Sequence, residues 1–139
     1  MYKKILVAVD GSENSLRAAK QAAMIASLSR NCSAEIITVA DYSKTQSEVL
    51  YNKSLEKLDL ERKNMLKPAE NIFKKFNVNY AIKILHGTPG PAIASYANKN
   101  HFDLLVIGSR GLNAWKEMVL GSVSHKVAKR ANCPVLIVK

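Results

Sequence analysis

Two glycine- and serine-containing segments have the residue types and spacing best suited to chemistry in this chain. Gly108-Ser109-Arg110-Gly111 follows the apolar run Leu104-Leu105-Val106-Ile107, and Gly121-Ser122-Val123-Ser124 comes after nine intervening residues. Glycines allow a tight turn and a close approach of ligand to backbone, while a helix N-terminus offers N–H groups and the positive end of its dipole to an anion. The layout therefore predicts a phosphate-binding loop between a buried strand and a helix.

Most residues of these two segments have a predicted role in phosphate binding. Gly108 and Gly111 are expected to adopt positive φ or to let phosphate oxygens reach backbone N–H groups, and Arg110 to pair with a phosphate. Ser122 and Ser124 would add hydroxyl donors at the helix start. The structural alternative is a tight turn in which Ser122 serves only as a helix cap.

Asp10 is the second chemical feature, because it ends a strand-like run and precedes Gly11-Ser12. Its carboxylate could bind a ribose hydroxyl or a Mg²⁺ ion that bridges phosphates, since hard divalent ions prefer carboxylate oxygens. An adenine ring would need an apolar slot, for which Ala8 and Val39 are candidates. The alternative is that Asp10 merely stabilises its own turn.

The elements that must position these residues alternate between strand-like and helical patterns, which is typical of parallel βαβ units. Pro68 lies inside the second helix and predicts a kink without termination, and Thr88 is a candidate cap for the third. The expected strands are Ile5–Val9, Ala34–Ala40, Val78–Leu85, Asp103–Ile107 and Pro134–Val138, and the expected helices are 13–30, 55–76, 88–98 and 121–130.

The fold prediction is a single-domain α/β protein with an open five-stranded parallel sheet and helices on both faces. Ligands of such sheets bind outside the carboxyl ends of the strands, where the strand order reverses. With the order 3-2-1-4-5, that crevice separates strands one and four. Asp10 and the glycine loop are then expected to face each other across it.

Length and composition narrow the class of protein. A chain of 139 residues suits one domain, and its apolar runs are far shorter than the roughly 20 residues that span a bilayer. The start of the chain does not resemble a secretion signal, so a cytoplasmic protein is expected. Cys32 and Cys133 are far apart in sequence and fit small apolar side chains better than a disulfide or a zinc site.

Charge points to an anionic ligand or partner. The net charge is +10, and half of that excess lies after residue 98, around the glycine loop. Such a field attracts nucleotide phosphates, nucleic acid or an acidic protein partner. Basic residues interleaved with aromatic residues, which nucleic-acid surfaces use for stacking, are missing from the sequence, and this argues against nucleic acid.

The motifs resemble the universal stress protein family, in its ATP-binding branch, along the whole chain. The matching segments are Lys4-Ile5-Leu6-Val7-Ala8-Val9-Asp10-Gly11-Ser12, Gly87, Asp103 through Gly111, Leu120-Gly121-Ser122-Val123-Ser124 and Cys133 through Val138. The resemblance implies a Rossmann-like fold of the adenine nucleotide alpha hydrolase type, with ATP at the C-terminal edge of the sheet. It also implies a homodimer joined through strand five at Val135, Ile137 and their neighbours.

The resemblance implies a binding set for ATP, and the Mg²⁺ ion considered for Asp10 would accompany the phosphates. Asp10 would lie near the ribose and phosphates, and Val39 near the adenine. The remaining residues would hold the phosphates or line the site. The full candidate set is Ala8, Asp10, Val39, Ile107, Gly108, Arg110, Gly111, Gly121, Ser122, Val123 and Ser124.

Two functions stay open at this point. The first is a nucleotide-dependent stress or signalling module with slow or no hydrolysis, because the sequence places no Glu or His to activate water and no catalytic residue is assigned. The alternative is an ATP hydrolase or nucleotidyl-transfer enzyme, in which an Asp10-bound Mg²⁺ and Arg110 stabilise developing charge.

Overall fold

A parallel sheet with the strand order β3-β2-β1-β4-β5 forms the centre of the molecule. The computed structural model describes residues 2–41, 55–111 and 120–139. The elements in chain order are β1 (Lys4–Ala8), α1 (Glu13–Ser27), β2 (Ser33–Ala40), α2 (Leu55–Lys75), β3 (Asn79–His86), α3 (Pro89–Lys99), β4 (Leu104–Gly108), α4 (Ser122–Arg130) and β5 (Val135–Val138). The predicted α/β class and strand order are confirmed.

The helix signals in the sequence were mostly placed correctly. Ser12 caps α1, accepting the N–H of Ser15 at 3.2 Å, although the helix ends three residues earlier than predicted. α2 continues through Pro68, as expected. Thr88 holds the N-cap position of α3 in an extended conformation, but its side chain makes no capping hydrogen bond. The sequence also predicts a loop or extra turn at 41–52, which lies outside the described residues apart from Asp41.

The sheet separates two hydrophobic cores. The small residues of α1 allow the helix to lie close to the sheet, and Phe73 of α2 completes the core on that face. On the other face α3 and α4 cover the sheet with Ile93, Ala97 and Val127. Alternate residues of β1 therefore enter opposite cores, and the strand is almost completely buried.

Both cysteines belong to these cores, as predicted. Cys32 is buried in the first, and Cys133 is half-buried against the second, and both are free thiols. Burial raises the pKa of each thiol, which makes the reactive thiolate scarcer. They fill space near the amino ends of the strands.

The amino ends of β1 and β4 are joined by Asp103. Its Oδ2 accepts the backbone N–H groups of Lys3 and Lys4, each at 2.9 Å. These two hydrogen bonds lower the pKa of the Asp103 carboxyl. The carboxylate thus compensates backbone donors at the point where the two central strands begin.

Candidate functional site

β1 and β4 are adjacent parallel strands, so their carboxyl ends meet at the edge of the sheet where the strand order predicts a crevice. The two strands pair in register, with Val7 opposite Val106. Asp10 follows the first strand and the glycine loop follows the second. A Cβ atom at Gly111 would lie 2.5 Å from Asp10 Oδ2, so the carboxylate and the loop meet across the cleft.

The two oxygens of Asp10 have different surroundings. Oδ1 accepts the backbone N–H of Ser12 at 2.9 Å, which is the turn-stabilising role that the sequence left open. Oδ2 is the atom directed towards Gly111. One carboxylate therefore closes the turn before α1 and also faces the loop.

Gly108 is required for a different reason from the one predicted. It does not have a positive φ, and neither does Gly111. A Cβ at Gly108 would lie 2.9 Å from the backbone carbonyl carbon of Asn14, so glycine is needed because α1 passes so close to the end of β4. Of the two roles predicted for these glycines, positive φ is therefore not adopted, and the approach of phosphate oxygens to their backbone N–H groups stays a prediction.

The N-terminus of α4 opens onto the loop. Gly121, not Ser122, is the N-cap residue, and it offers no side chain to the first turn. The N–H of Gly121 donates to the Ser109 carbonyl at 2.6 Å, and that of His125 to the Gly121 carbonyl. The N–H groups at 122–124 have no carbonyl within the helix to bind, because a helix leaves its first donors unpaired. The capping alternative for Ser122 is therefore wrong, and a helix start without a capping side chain remains beside the loop.

Ser124 builds the loop with its side chain. Its Oγ is buried and donates to the Ser109 carbonyl at 2.9 Å. The hydroxyl predicted as a ligand donor is therefore engaged within the protein, and the backbone N–H is the group that Ser124 can turn to a ligand. Ser122 is exposed in the same turn.

Ser109 links the loop to three other elements. Its carbonyl accepts the bonds from α4, and its N–H donates to the Val138 carbonyl of β5 at 2.7 Å. Its hydroxyl accepts the Asn14 side-chain amide of α1 at 3.3 Å. Ser109 is thus the residue that fixes the loop in space.

Asn14 and Arg17 extend this network and were missed by the sequence prediction. The Arg17 guanidinium donates to the Asn14 side-chain carbonyl, and its Nε donates to the Lys139 backbone carbonyl at 2.9 Å. Asn14 is buried, and it shares a helix face with Ala18. A polar residue on an otherwise alanine-lined face was the signal that could have identified it.

The four apolar candidates belong to one side of the sheet. Ala8 and Ile107 are buried in the core beneath α3 and α4, and Val39 and Val123 are partly buried against it. Val39 is half-exposed near the carboxyl end of β2, which is where an adjoining ring would contact it. For Ile107 and Val123 the side chains pack inward, so the backbone is the part available to a ligand.

The described residues include no group of three or more His, Cys, Asp or Glu that could hold a metal ion alone. A Mg²⁺ ion at Asp10 would take its other ligands from nucleotide phosphate oxygens and water, which is the usual coordination of Mg²⁺ by nucleotides. Arg110 lies half-buried within the loop.

Comparisons with known proteins agree with this geometry. A profile of the universal stress protein family matches residues 1–139. Universal stress protein MJ0577 of Methanocaldococcus jannaschii is 33% identical, with 100% of this chain and 96% of the relative aligned. The solved structure of MJ0577 superposes with a TM-score of 0.87 at 32% identity, covering 100% of this chain and 96% of the other.

Two similar structures contain adenine nucleotides. A universal stress protein in complex with cAMP is 29% identical, with a TM-score of 0.78 and coverage of 99% and 97% of the two chains. The universal stress protein of Archaeoglobus fulgidus in complex with dAMP is 25% identical, with a TM-score of 0.75 and coverage of 99% and 98%. In this chain, none of the helices within the described ranges has the length and apolar character to cross a membrane.

Proposed function

The chain belongs to the universal stress protein family, and from that premise we propose that it binds an adenine nucleotide, ATP in particular, between β1 and β4. The observation that carries this proposal is the approach of Asp10 Oδ2 to Gly111 beside an α4 N-terminus that has no capping side chain. A carboxylate on one side and backbone donors on the other match a ligand with a sugar and a phosphate tail.

In this arrangement the phosphates bind the backbone N–H groups of Gly111 and of Ser122 to Ser124, with Arg110 as the counter-charge. Asp10 turns Oδ2 to a ribose hydroxyl or to Mg²⁺. A bound Mg²⁺ would neutralise part of the phosphate charge. Val39, with Ala8 beside it, forms the apolar side of the site, and Ile107 offers its backbone. Gly108 and Gly121 shape the loop by letting α1 and Ser109 approach.

We assign the protein a nucleotide-dependent stress or signalling role in the cytoplasm, with slow or no hydrolysis. The hydrogen bond from Ser12 anchors Asp10 in its turn, which makes its carboxylate a poor mobile base for an attacking water. The enzyme alternative needs turnover above the buffer background. Single-turnover measurement with labelled ATP and Mg²⁺ separates the two, because the alternative also requires that Asp10→Ala abolish cleavage.

Isothermal titration of the purified protein with ATP and Mg²⁺ tests the binding proposal. We expect saturable binding to the wild type, and at least tenfold weaker binding to Asp10→Asn, because a charge-assisted hydrogen bond contributes about 1.5–3 kcal/mol. Asp103→Asn is the matched control, since it makes the same change at the opposite end of the same strands. No binding to a folded wild type, shown by circular dichroism, would overturn the proposal.

We also propose a homodimer through β5. This strand is the edge of the sheet next to β4, its four residues are apolar, and all are only half-buried. The carbonyl of Pro134 accepts a hydrogen bond from Leu105 of β4, and that of Val138 accepts one from Ser109, just after β4. Because main-chain groups alternate sides along a strand, those of Val135 and Ile137 face the open edge. Pairing with a second copy would cover that edge.

Light scattering after size exclusion tests the dimer. We expect twice the chain mass of 15.3 kDa for the wild type. Ile137→Pro removes one outward-facing N–H and should give the monomer mass, because proline cannot donate to a sheet ladder. A monomeric wild type at all concentrations would contradict this proposal without affecting the nucleotide site.

A further inference from the structure

The two faces of the sheet carry very different distributions of charge. On the first face, α1 and α2 mix acidic with basic residues, and Arg17 lies 3.9 Å from Glu13. On the second face, α3 and α4 contain no Asp or Glu at all. The only acidic residues that follow Glu70 in the chain are Asp103 and Glu117.

The cations of the second face are close together and exposed. The surface formed by Lys99, Lys126, Lys129 and Arg130, here called the basic surface, lies on two neighbouring helices. Lys126 and Arg130 are one helical turn apart, so they lie on one side of α4. In the part of the chain that the structure describes, none of the four forms an ion pair with an acidic side chain.

The two helices are held together tightly enough to keep this surface in shape. A Cβ at Gly90 would lie 2.9 Å from Lys126 Cβ, so α3 and the Lys126 stem are in close contact. At the other end, Asn98 donates to the Arg130 carbonyl at 3.0 Å and accepts the Asn132 N–H at 2.7 Å. The basic surface is therefore carried by a braced helix pair.

A shallow groove runs along α3 beside two of these cations, Lys99 and Arg130. Its lining residues come mainly from α3, with Arg130 from α4, and they are Pro91, Ala94, Ser95, Asn98, Lys99 and Arg130. Ser95 is exposed and can donate or accept a hydrogen bond. The groove thus combines positive charge with a hydrogen-bonding floor.

Helix dipoles explain part of this pattern but not all of it. Lys99, Lys129 and Arg130 lie in last turns, where cations offset the negative end of the helix. That reason does not apply to Lys126, which lies in the middle of α4. It also does not explain why α3 and α4 lack acidic residues. In α2, by contrast, acidic residues occur beside the lysines of the same helix.

We infer that the basic surface and its groove bind a short acidic segment of a partner protein. An α-helix of 11 residues, such as α3, is about 16 Å long. About five residues of extended chain cover that length. A few Glu or Asp side chains on such a segment can reach the four cations, and charge complementarity of this kind sets specificity and speeds association.

Other polyanions fit this face less well. The exposed large apolar residues of the described chain lie on other elements, so α3 and α4 offer no side chain for insertion into a lipid surface. Tyr96 is half-buried, its hydroxyl donates to Glu35 and its ring contacts the Lys83 ammonium, so it is not a platform for base stacking. A second copy of this chain would bring like charge to the face.

Fluorescence anisotropy with a labelled peptide of alternating Glu and Ser tests the inference. The variant Lys126→Gln/Arg130→Gln removes two charges from the basic surface. The control Lys63→Gln/Lys67→Gln removes two exposed charges, also one turn apart, from α2. At low salt, about 50 mM, we expect the first variant to bind about tenfold more weakly than wild type and the control to stay within about twofold.

Three results would overturn the inference. They are no binding of the peptide to the wild type at low salt, an equal loss in both variants, and tighter binding of a length-matched oligothymidine or of phosphatidylglycerol vesicles than of the peptide. Circular dichroism of both variants confirms that the helices persist. The result does not depend on nucleotide binding, because the basic surface shares no residue with the site between β1 and β4.

Discussion

The central strands β1 and β4 have an aspartate at each end, and the two aspartates have opposite tasks. At the amino end, both bonds of Asp103 go through one oxygen to the N–H groups of Lys3 and Lys4. At the carboxyl end, Asp10 gives one oxygen to the Ser12 N–H and turns the other to Gly111. A carboxylate that accepts two backbone N–H groups at the start of the strands stabilises the fold, whereas one that faces the glycine loop is placed to contact a ligand.

The largest effect on ATP binding is expected when a side chain is placed between Asp10 and the loop. Gly111→Val places a side chain where Asp10 Oδ2 lies, so either the carboxylate or the loop must move. Because overpacking costs about 1–3 kcal/mol, we expect ATP affinity to fall roughly tenfold to hundredfold by calorimetry. Ala128→Val, an exposed position on α4, is the control and should bind like wild type.

Exchanging each aspartate for asparagine separates the ligand-binding role assigned to Asp10 from the stabilising role assigned to Asp103. Asp10→Asn should weaken ATP binding with little change in the free energy of unfolding. Asp103→Asn should lower that free energy by about 1 kcal/mol, allowing for solvent screening of a partly exposed group, and leave the affinity unchanged. Urea unfolding and calorimetry on both variants measure the two effects. If both variants lose the same property, the assigned division of roles is wrong.

The network behind the loop should have a smaller effect. Asn14→Ala removes the donor to Ser109 and leaves Arg17 without its Asn14 partner. We expect ATP affinity to fall about threefold to tenfold, because one hydrogen bond contributes about 1 kcal/mol. Lys20→Gln, exposed on the same helix, is the control. An unchanged affinity in Asn14→Ala would show that the loop holds its shape without α1.

The smallest expected effect is on pH dependence. The pKa of Asp103 is lowered in the folded protein, so its contribution to stability is present above the ordinary value of 3.8 and is lost as the pH falls through the folded value. Between about pH 5 and about pH 2 the wild type should therefore lose more stability than Asp103→Asn. If the free energy of unfolding, measured by urea titration at each pH, falls equally in the two proteins, Asp103 is not a source of acid sensitivity.

The sequence predicted the fold well because its patterns are local and consistent. The apolar runs of β1 and β4 are those of strands buried on both faces, and Ser12 caps α1 as its type indicates. The strand order 3-2-1-4-5, from which Asp10 and the glycine loop were expected to face each other, is the observed order. The errors lay where a long-range contact decides, as at Gly108, whose neighbour Asn14 is distant in sequence.

The sequence predicted which segments form the site, but not which atoms of each residue hold the site together and which can face a ligand. Spacing identified the loop, yet could not show that Ser124 Oγ turns inward to Ser109 or that Gly121 caps α4. These assignments depend on how the segments cross in space. The sequence did not predict that Asn14 and Arg17 support the loop, because they precede it by more than ninety positions and resemble ordinary helix residues.

An amide NMR titration with ATP and Mg²⁺ tests the central claim most directly. Binding at the carboxyl ends of β1 and β4 predicts the largest shifts for the N–H signals of Gly111, Ser122, Val123 and Ser124. The signals of Lys3 and Lys4, which donate to Asp103 at the opposite end, should barely move. Shifts concentrated at that amino end, or none at saturating ATP, would contradict the account.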